Sequence, residues 1–435
     1  MSPLLGKRFH VARQTAKGSL HEKTPPTSHI MKFCRLRLLS LLVTWLTCAF
    51  AGRYDGYQVV RVSPKRDVEV KLLERMTQEG FLDVFRKGHD GSVDVLVDEA
   101  KAKTLADFGF QSDTLLSDVG RLVENQVRRR GQVKYGNVTW DHYNTLEEIY
   151  DYMDHIAAEH PDVATVFSLG KTWEGRDIKA LQLTRDGGED TKPIVFVDAG
   201  FHAREWIAPA VASYTFHSLM HDVTGLLSSA VWVIAPSMNP DGYAYTWTDN
   251  RLWRKTRSNR TSLCMGVDPN RNFDFHWMEV GASDNPCSEI YAGPTALSEP
   301  ETQALADYMQ AHKDRVKVYI TLHSYSQLFM YPYGHTLELP DDWEELDRVA
   351  KLAVDALTAV HGTEYEYGSC SSILYLDAGS SRDYVKGVVG VPYVYTIELR
   401  DQGYYGFLLP PEQILPASEE TWEAIRVVAK EALAL

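Results

Sequence analysis

The segment "DAGFHAREWIAP", residues 198–209, carries His202 and Glu205 three positions apart, a spacing that lets both side chains turn toward one point. Alone this pair is a weak signal, because His-x-x-Glu arises by chance and a strand-end histidine is usually just hydrogen-bonded. A catalytic zinc site takes two histidines and one carboxylate and keeps one position open for water. "YITLHSYSQ" offers His323 at the end of one predicted strand, and "YTIELRD" brings Glu398 to the end of another. Zinc lowers the pKa of its water to about 7, and a carboxylate can take the proton as that water attacks. The implied chemistry is hydrolysis, with His202, Glu205 and His323 holding one Zn2+ and Glu398 as the base.

A second set binds anions. "NRLWRKTRS" supplies Arg254, and "DPNRNFD" supplies the adjacent Asn270 and Arg271. Singly, each arginine reads as a surface ion-pair residue. Beside a zinc site they have a specific use, since guanidinium groups bind carboxylates in a bidentate way and can steady a developing oxyanion.

Such residues need a rigid frame. The runs "IVFVDAG", "VWVIAPS", "VKVYITLHS" and "VPYVYTIELR" are short and almost continuously apolar, as buried central strands are. "TLEEIYDYMDHIAAEH" and "ALADYMQAHKD" are amphipathic helices suited to cover a sheet. The reading for residues 131–435 is one α/β domain, a mixed central sheet flanked by helices, with function at the carboxyl ends of its strands. Upstream, residues 52–130 alternate as strand, helix, strand, strand, helix, strand, which predicts a small α+β open sandwich. That unit ends in a helix and three arginines, Arg128 to Arg130. They read as a trypsin-like processing site with cleavage after Arg130, the competing reading being charges favoured at a helix C-terminus.

Residues 1–51 hold an upstream extension and a secretory signal. From Met31, Lys32, Arg35 and Arg37 precede an apolar run that ends in Ala49-Phe50-Ala51, a small-residue cleavage pattern. The run is shorter than the roughly 20 residues that span a bilayer. Secretion makes the sequons at Asn137 and Asn259 usable and permits disulfides, for which Cys264 and Cys287 are the natural pair around a surface loop. The net charge of −14 argues against a nucleic-acid partner, because phosphate binding needs a basic face. No second hydrophobic segment suggests stable membrane insertion, and a monomer is expected.

The segments "FHAREWIAP", "NRLWRKTRS", "VDPNRNFD", "LHSYSQLFMYPYG" and "TIELRDQGYYGFLLP" closely resemble the pancreatic-type carboxypeptidase A/B family of zinc metallocarboxypeptidases in zymogen form. The resemblance implies the family's fold, an inhibitory prodomain, a trypsin-like activating protease, and peptide or protein C-termini as substrate. It implies zinc ligation by His202, Glu205 and His323, a water-activating Glu398, and Arg254 as polariser of the scissile carbonyl. Asn270 and Arg271 match the anchors of the terminal carboxylate, and Tyr375 a tyrosine that closes over substrate. Arg204 matches a secondary substrate-binding arginine, and Tyr325 and Phe407 match subsite walls. Arg382 falls at the floor of the pocket for the last side chain. An apolar residue there accompanies A-type preference, and an aspartate B-type preference for Lys and Arg. An arginine resembles carboxypeptidase O and implies a preference for acidic C-terminal residues. Asp377, where the family has a small residue, and Cys370 on the pocket wall depart from the pattern. If Asp377 neutralises Arg382, an A-like preference for hydrophobic residues is the alternative. The carboxylate anchors argue against an endopeptidase, and the intact ligand set against a protein that only binds peptides.

Overall fold

The four apolar runs expected to be central strands are central strands. The computed structural model describes residues 52–88, 90–127, 138–260 and 264–435, which all lie in one unit, Thr47–Leu435. The signal segment, the sequon at Asn137, Arg130 and the 130/131 boundary fall outside the described residues.

The first part of the chain runs β1 (Gln58–Val62), α1 (Asp67–Gln78), β2 (Asp83–Lys87), β3 (Val93–Val97), α2 (Glu99–Asp107) and β4 (Ser112–Leu116). This is the expected order, folded as an antiparallel sheet β2-β3-β1-β4. Helix α3 (Val119–Val127) follows, with Val119, Val123 and Gln126 buried.

The second sheet has the order β11-β10-β12-β9-β7-β8-β6-β5. Its strands are β5 (Ala164–Lys171), β6 (Asp177–Leu183), β7 (Ile194–Ala199), β8 (Val231–Ala235), β9 (Val316–Ser324), β10 (Leu328–Tyr331), β11 (Glu366–Ser369) and β12 (Tyr393–Leu399). β8, β7, β9 and β12 are mutually parallel, β5 and β6 pair antiparallel with their neighbours, and β10 runs antiparallel to β12 but parallel to β11, so the sheet is mixed. The long covering helices are α4 (Leu146–Glu159), α5 (Ile207–Met220), α6 (Pro240–Thr248), α7 (Pro300–Ala311), α8 (Trp343–His361) and α9 (Ile414–Leu433). Alternate residues of the central strands feed two cores. Val195, Val197, Ile320 and Leu322 pack with α4, α5, α8 and α9, and Phe196, Val233 and Tyr319 with α7 on the other face. α4 starts at a capping box in which Thr145 and Glu148 bond each other's backbone N–H, each such box satisfying two otherwise orphaned donors.

The two sheets share a core. Val59, Phe85, Leu96, Val119 and Val123 of the first part pack with Leu252, Tyr325, Phe407 and Leu408 of the second. Gln126 of α3 donates to the carbonyls of Phe407 and Leu409, at 3.2 and 2.9 Å, and accepts from Arg251 Nε at 2.8 Å.

Candidate active site

The site lies at the carboxyl ends of β7, β9 and β12. After β7, Gly200 takes a φ of 69° in a spot where a Cβ would press on the backbone of Ser237 and Pro236. That turn delivers His202 and Glu205 ahead of α5. His323 sits one residue from the end of β9, and its Cα partner on β12 is Glu398. Both therefore project from the same face of the sheet.

His202, Glu205 and His323 are buried and bring one ligand atom each within 4.8 Å of the others. His202 Nδ1 lies 2.7 Å from Glu205 Oε1, His323 Nδ1 3.0 Å from Oε2, and the two Nδ1 atoms are 3.2 Å apart. Donors about 2.0–2.1 Å from a tetrahedral ion sit roughly 3.4 Å from one another. The set fits zinc in donor type and in spacing. The far side of His202 is held too: its Nε2 is 3.1 Å from Asp268 Oδ1. A carboxylate behind a ligating histidine fixes the ring's tautomer and orientation. Asp268 also accepts from Arg254 Nε and Nη2, at 3.2 and 2.8 Å. Arg254 and His202, against the opposing effect of burial, keep the Asp268 carboxyl well below its ordinary range. Asp268 stands in the "DPNRNFD" segment but drew no role from the sequence. Its chemistry emerges only where it touches two other segments.

Glu398 is half-buried beside this cluster. Loss of water first, and the Glu205 charge second, push it up to about 8. A dication on the neighbouring ligands pulls it back toward the range where a carboxylate accepts a proton.

Arg254, Arg271 and Tyr375 line one cavity of ≈ 700 Å3, together with Arg204 and residues of α1 and β2. Arg271 donates from Nε to the Gly281 carbonyl at 2.9 Å and from Nη1 to the Asn270 carbonyl at 2.8 Å. Asn270 Oδ1 accepts the Ser381 N–H at 3.0 Å, which ties Asn270 and its neighbour Arg271 to the turn that carries Arg382.

Three expected substrate residues lie under the first sheet. Arg204 donates to Asp83 Oδ1 at 3.1 Å and to the Val84 carbonyl at 2.8 Å, both on β2. The rings of Phe85 and Phe407 are 4.9 Å apart, and those of Phe407 and Tyr325 5.0 Å.

Arg382 is buried as a pocket floor requires, but its charge is met inside the protein. Its Nε donates to Asp383 Oδ1 at 2.9 Å and its Nη2 to Asp377 Oδ1 at 3.0 Å and Ser380 Oγ at 3.2 Å. Asp377 reaches Arg271 Nη1 as well, at 3.3 Å, so one carboxylate bridges the two arginines. Only a glycine fits beneath this pair: a Cβ on Gly334 would collide with Arg382 Nη2 and Asp377 Oδ1. The free cation expected at the floor is thus an internal ion pair. Cys264 and Cys287 form the expected disulfide, and Cys370 is buried and free, with its thiol 3.6 Å from Asp377.

Residues 149–424 match the family model described as zinc carboxypeptidase. Carboxypeptidase B of Astacus astacus is 52% identical over 67% of this chain and 97% of its own length. Carboxypeptidase A2 of Mus musculus is 39% identical over 90% of this chain and 98% of its own. Among solved structures, carboxypeptidase A from Helicoverpa armigera superposes with a TM-score of 0.80 at 32% identity, over 88% of this chain and 98% of that one.

Proposed function

The chain belongs to the zinc carboxypeptidase family and is a metallocarboxypeptidase, and from that premise we propose that it is a secreted zymogen removing the C-terminal residue of peptides. The observation that carries the reading is the cavity shared by Arg254, Arg271 and Tyr375 beside the zinc ligands, roofed by β2.

In this reading His202, Glu205 and His323 hold Zn2+, which supplies Lewis acidity for activating water and polarising the carbonyl. Glu398 takes the proton from the attacking water and passes it to the leaving amine. Arg254 donates to the oxyanion, its hold on Asp268 keeping the guanidinium oriented. Arg271 and Asn270 bind the terminal carboxylate, and Tyr375 closes beside it. Residues 52–130 form the prosegment and 131–435 the catalytic domain, parted by a trypsin-like protease after Arg130. The occupation of Arg204 by Asp83 and Val84, and the stacking of Phe85 on Phe407, support a cap that keeps substrate out. The signal pattern at 31–51 supports secretion, and the disulfide agrees with an oxidising destination.

For the last side chain, the buried Arg382 supports a preference for acidic residues. A second reading is favoured by its pairing with Asp377 and Asp383, which leaves a polar, neutral floor suited to hydrophobic residues. One panel separates them: kcat/KM on blocked dipeptides ending in Glu, Phe and Lys, before and after trypsin treatment of the full chain. Trypsin raises every rate that is measurable. Asp377→Asn, which removes one of the two carboxylates paired with Arg382 and leaves Asp383, raises the Glu-to-Phe ratio about tenfold and lowers the Lys-to-Phe ratio. Unchanged ratios would remove Arg382 and Asp377 from substrate selection.

A further inference from the structure

We infer that the full chain carries an anion site that neither sheet forms alone, in the chamber where Lys87 of β2 shares a wall with Arg254 and Arg271, and that it takes a small dicarboxylate. The inference goes beyond the proposed function and rests on β2 lying over the cavity, not on that cover being inhibitory.

Four of the cations of this ≈ 700 Å3 chamber, which Arg86 of β2 lines as well, are not equally committed. Arg204 is spent on Asp83, the Val84 carbonyl and Glu289, the last at 3.7 Å. Arg254 gives two hydrogen bonds to Asp268. Arg271 meets a carboxylate only at 3.3 Å, and that carboxylate also serves Arg382. Lys87, among the described residues, makes no side-chain hydrogen bond and no ion pair. The charge of Glu74 on α1, which lines the same chamber as do Asp90 and Glu289, acts on it without an ion pair. Loss of water first, and the Arg271 charge second, hold its ammonium below the usual lysine range. β2 thus brings a cation without an ion-pair partner toward two others instead of closing on them with an acid.

That arrangement calls for an anion between the walls. A monoanion on Arg271 leaves Lys87 uncompensated, whereas a dicarboxylate reaches both walls. The volume falls in the range of small-molecule sites, roughly 300–1,000 Å3. A ligand bridging Lys87 and Arg271 holds β2 on the second sheet and stabilises the uncleaved chain by mass action.

The test is calorimetric titration of succinate into the zinc-loaded, uncleaved full chain and its Lys87→Met and Lys87→Arg variants, with sodium chloride at equal ionic strength as control. The expected result is succinate binding that weakens about tenfold or more in Lys87→Met and survives in Lys87→Arg. Equal affinity in wild type and Lys87→Met overturns the proposal, as does succinate heat no different from that of chloride. No turnover enters the readout, so a failure of the exopeptidase reading would be seen separately, on the peptide substrates.

Discussion

Replacement of Glu398 by glutamine lowers kcat about 10²–10⁴-fold while the protein keeps one zinc per chain. The residue faces the metal cluster from the next strand, opposite His323 in register, yet lies outside the group of three that converges on the ion. Glutamine preserves the shape of the side chain and cannot accept a proton from water. Zinc content measured by atomic absorption, next to kcat on a blocked dipeptide, separates the two roles. A variant with full zinc and activity within a factor of a few of wild type would remove Glu398 as the base. A variant that loses its zinc would make Glu398 a fourth ligand.

His323→Ala loses both zinc and activity. Three protein ligands are the minimum for a catalytic site of this kind, and the Nδ1 of His323 stands 3.0 and 3.2 Å from the other two donors. Its removal also strands Glu205 as a buried carboxylate that has lost one of its partners, an expensive state in a dry site. The expected fall in zinc affinity, read by competition with a chromophoric chelator, exceeds the 10–100-fold that loss of an outer partner costs. Wild-type affinity in His323→Ala would mean that the ion is held elsewhere.

Both variants were legible in the sequence because the residues concerned are rare types at the ends of apolar strands. "IVFVDAG", "VKVYITLHS" and "VPYVYTIELR" carry their own structure, so His202, His323 and Glu398 could be placed on one edge before any contact was known. The edge strands were harder to read. β5 exposes several of its residues and β11 is only Glu366–Ser369, so neither shows an apolar run. The expected helix and strand order of residues 52–116 appeared intact, because its alternation of patterns is local. What escaped was pairing between distant segments. Asp268 is one acid among 59 until it meets His202 and Arg254. The sequence placed Arg382 at the pocket floor and marked Asp377 as unusual. That Asp377 spans Arg271 and Arg382, with Asp383 on the other side, depends on a turn riding over Gly334. Likewise nothing local in "LDVFRKG" says that Asp83 lands on Arg204 and Lys87 in the cavity of Arg271.

The most direct measurement compares two peptides of identical sequence, one ending in a free carboxylate and one amidated, using trypsin-treated, zinc-loaded protein. An exopeptidase that anchors its substrate on Arg271 and Asn270 releases the last residue of the free acid. Amidation costs it roughly 100-fold or more in kcat/KM, as the loss of a charge-assisted bidentate anchor should. Equal cleavage of the two peptides, or cleavage at an internal bond, would contradict a carboxypeptidase and leave a zinc peptidase of another kind.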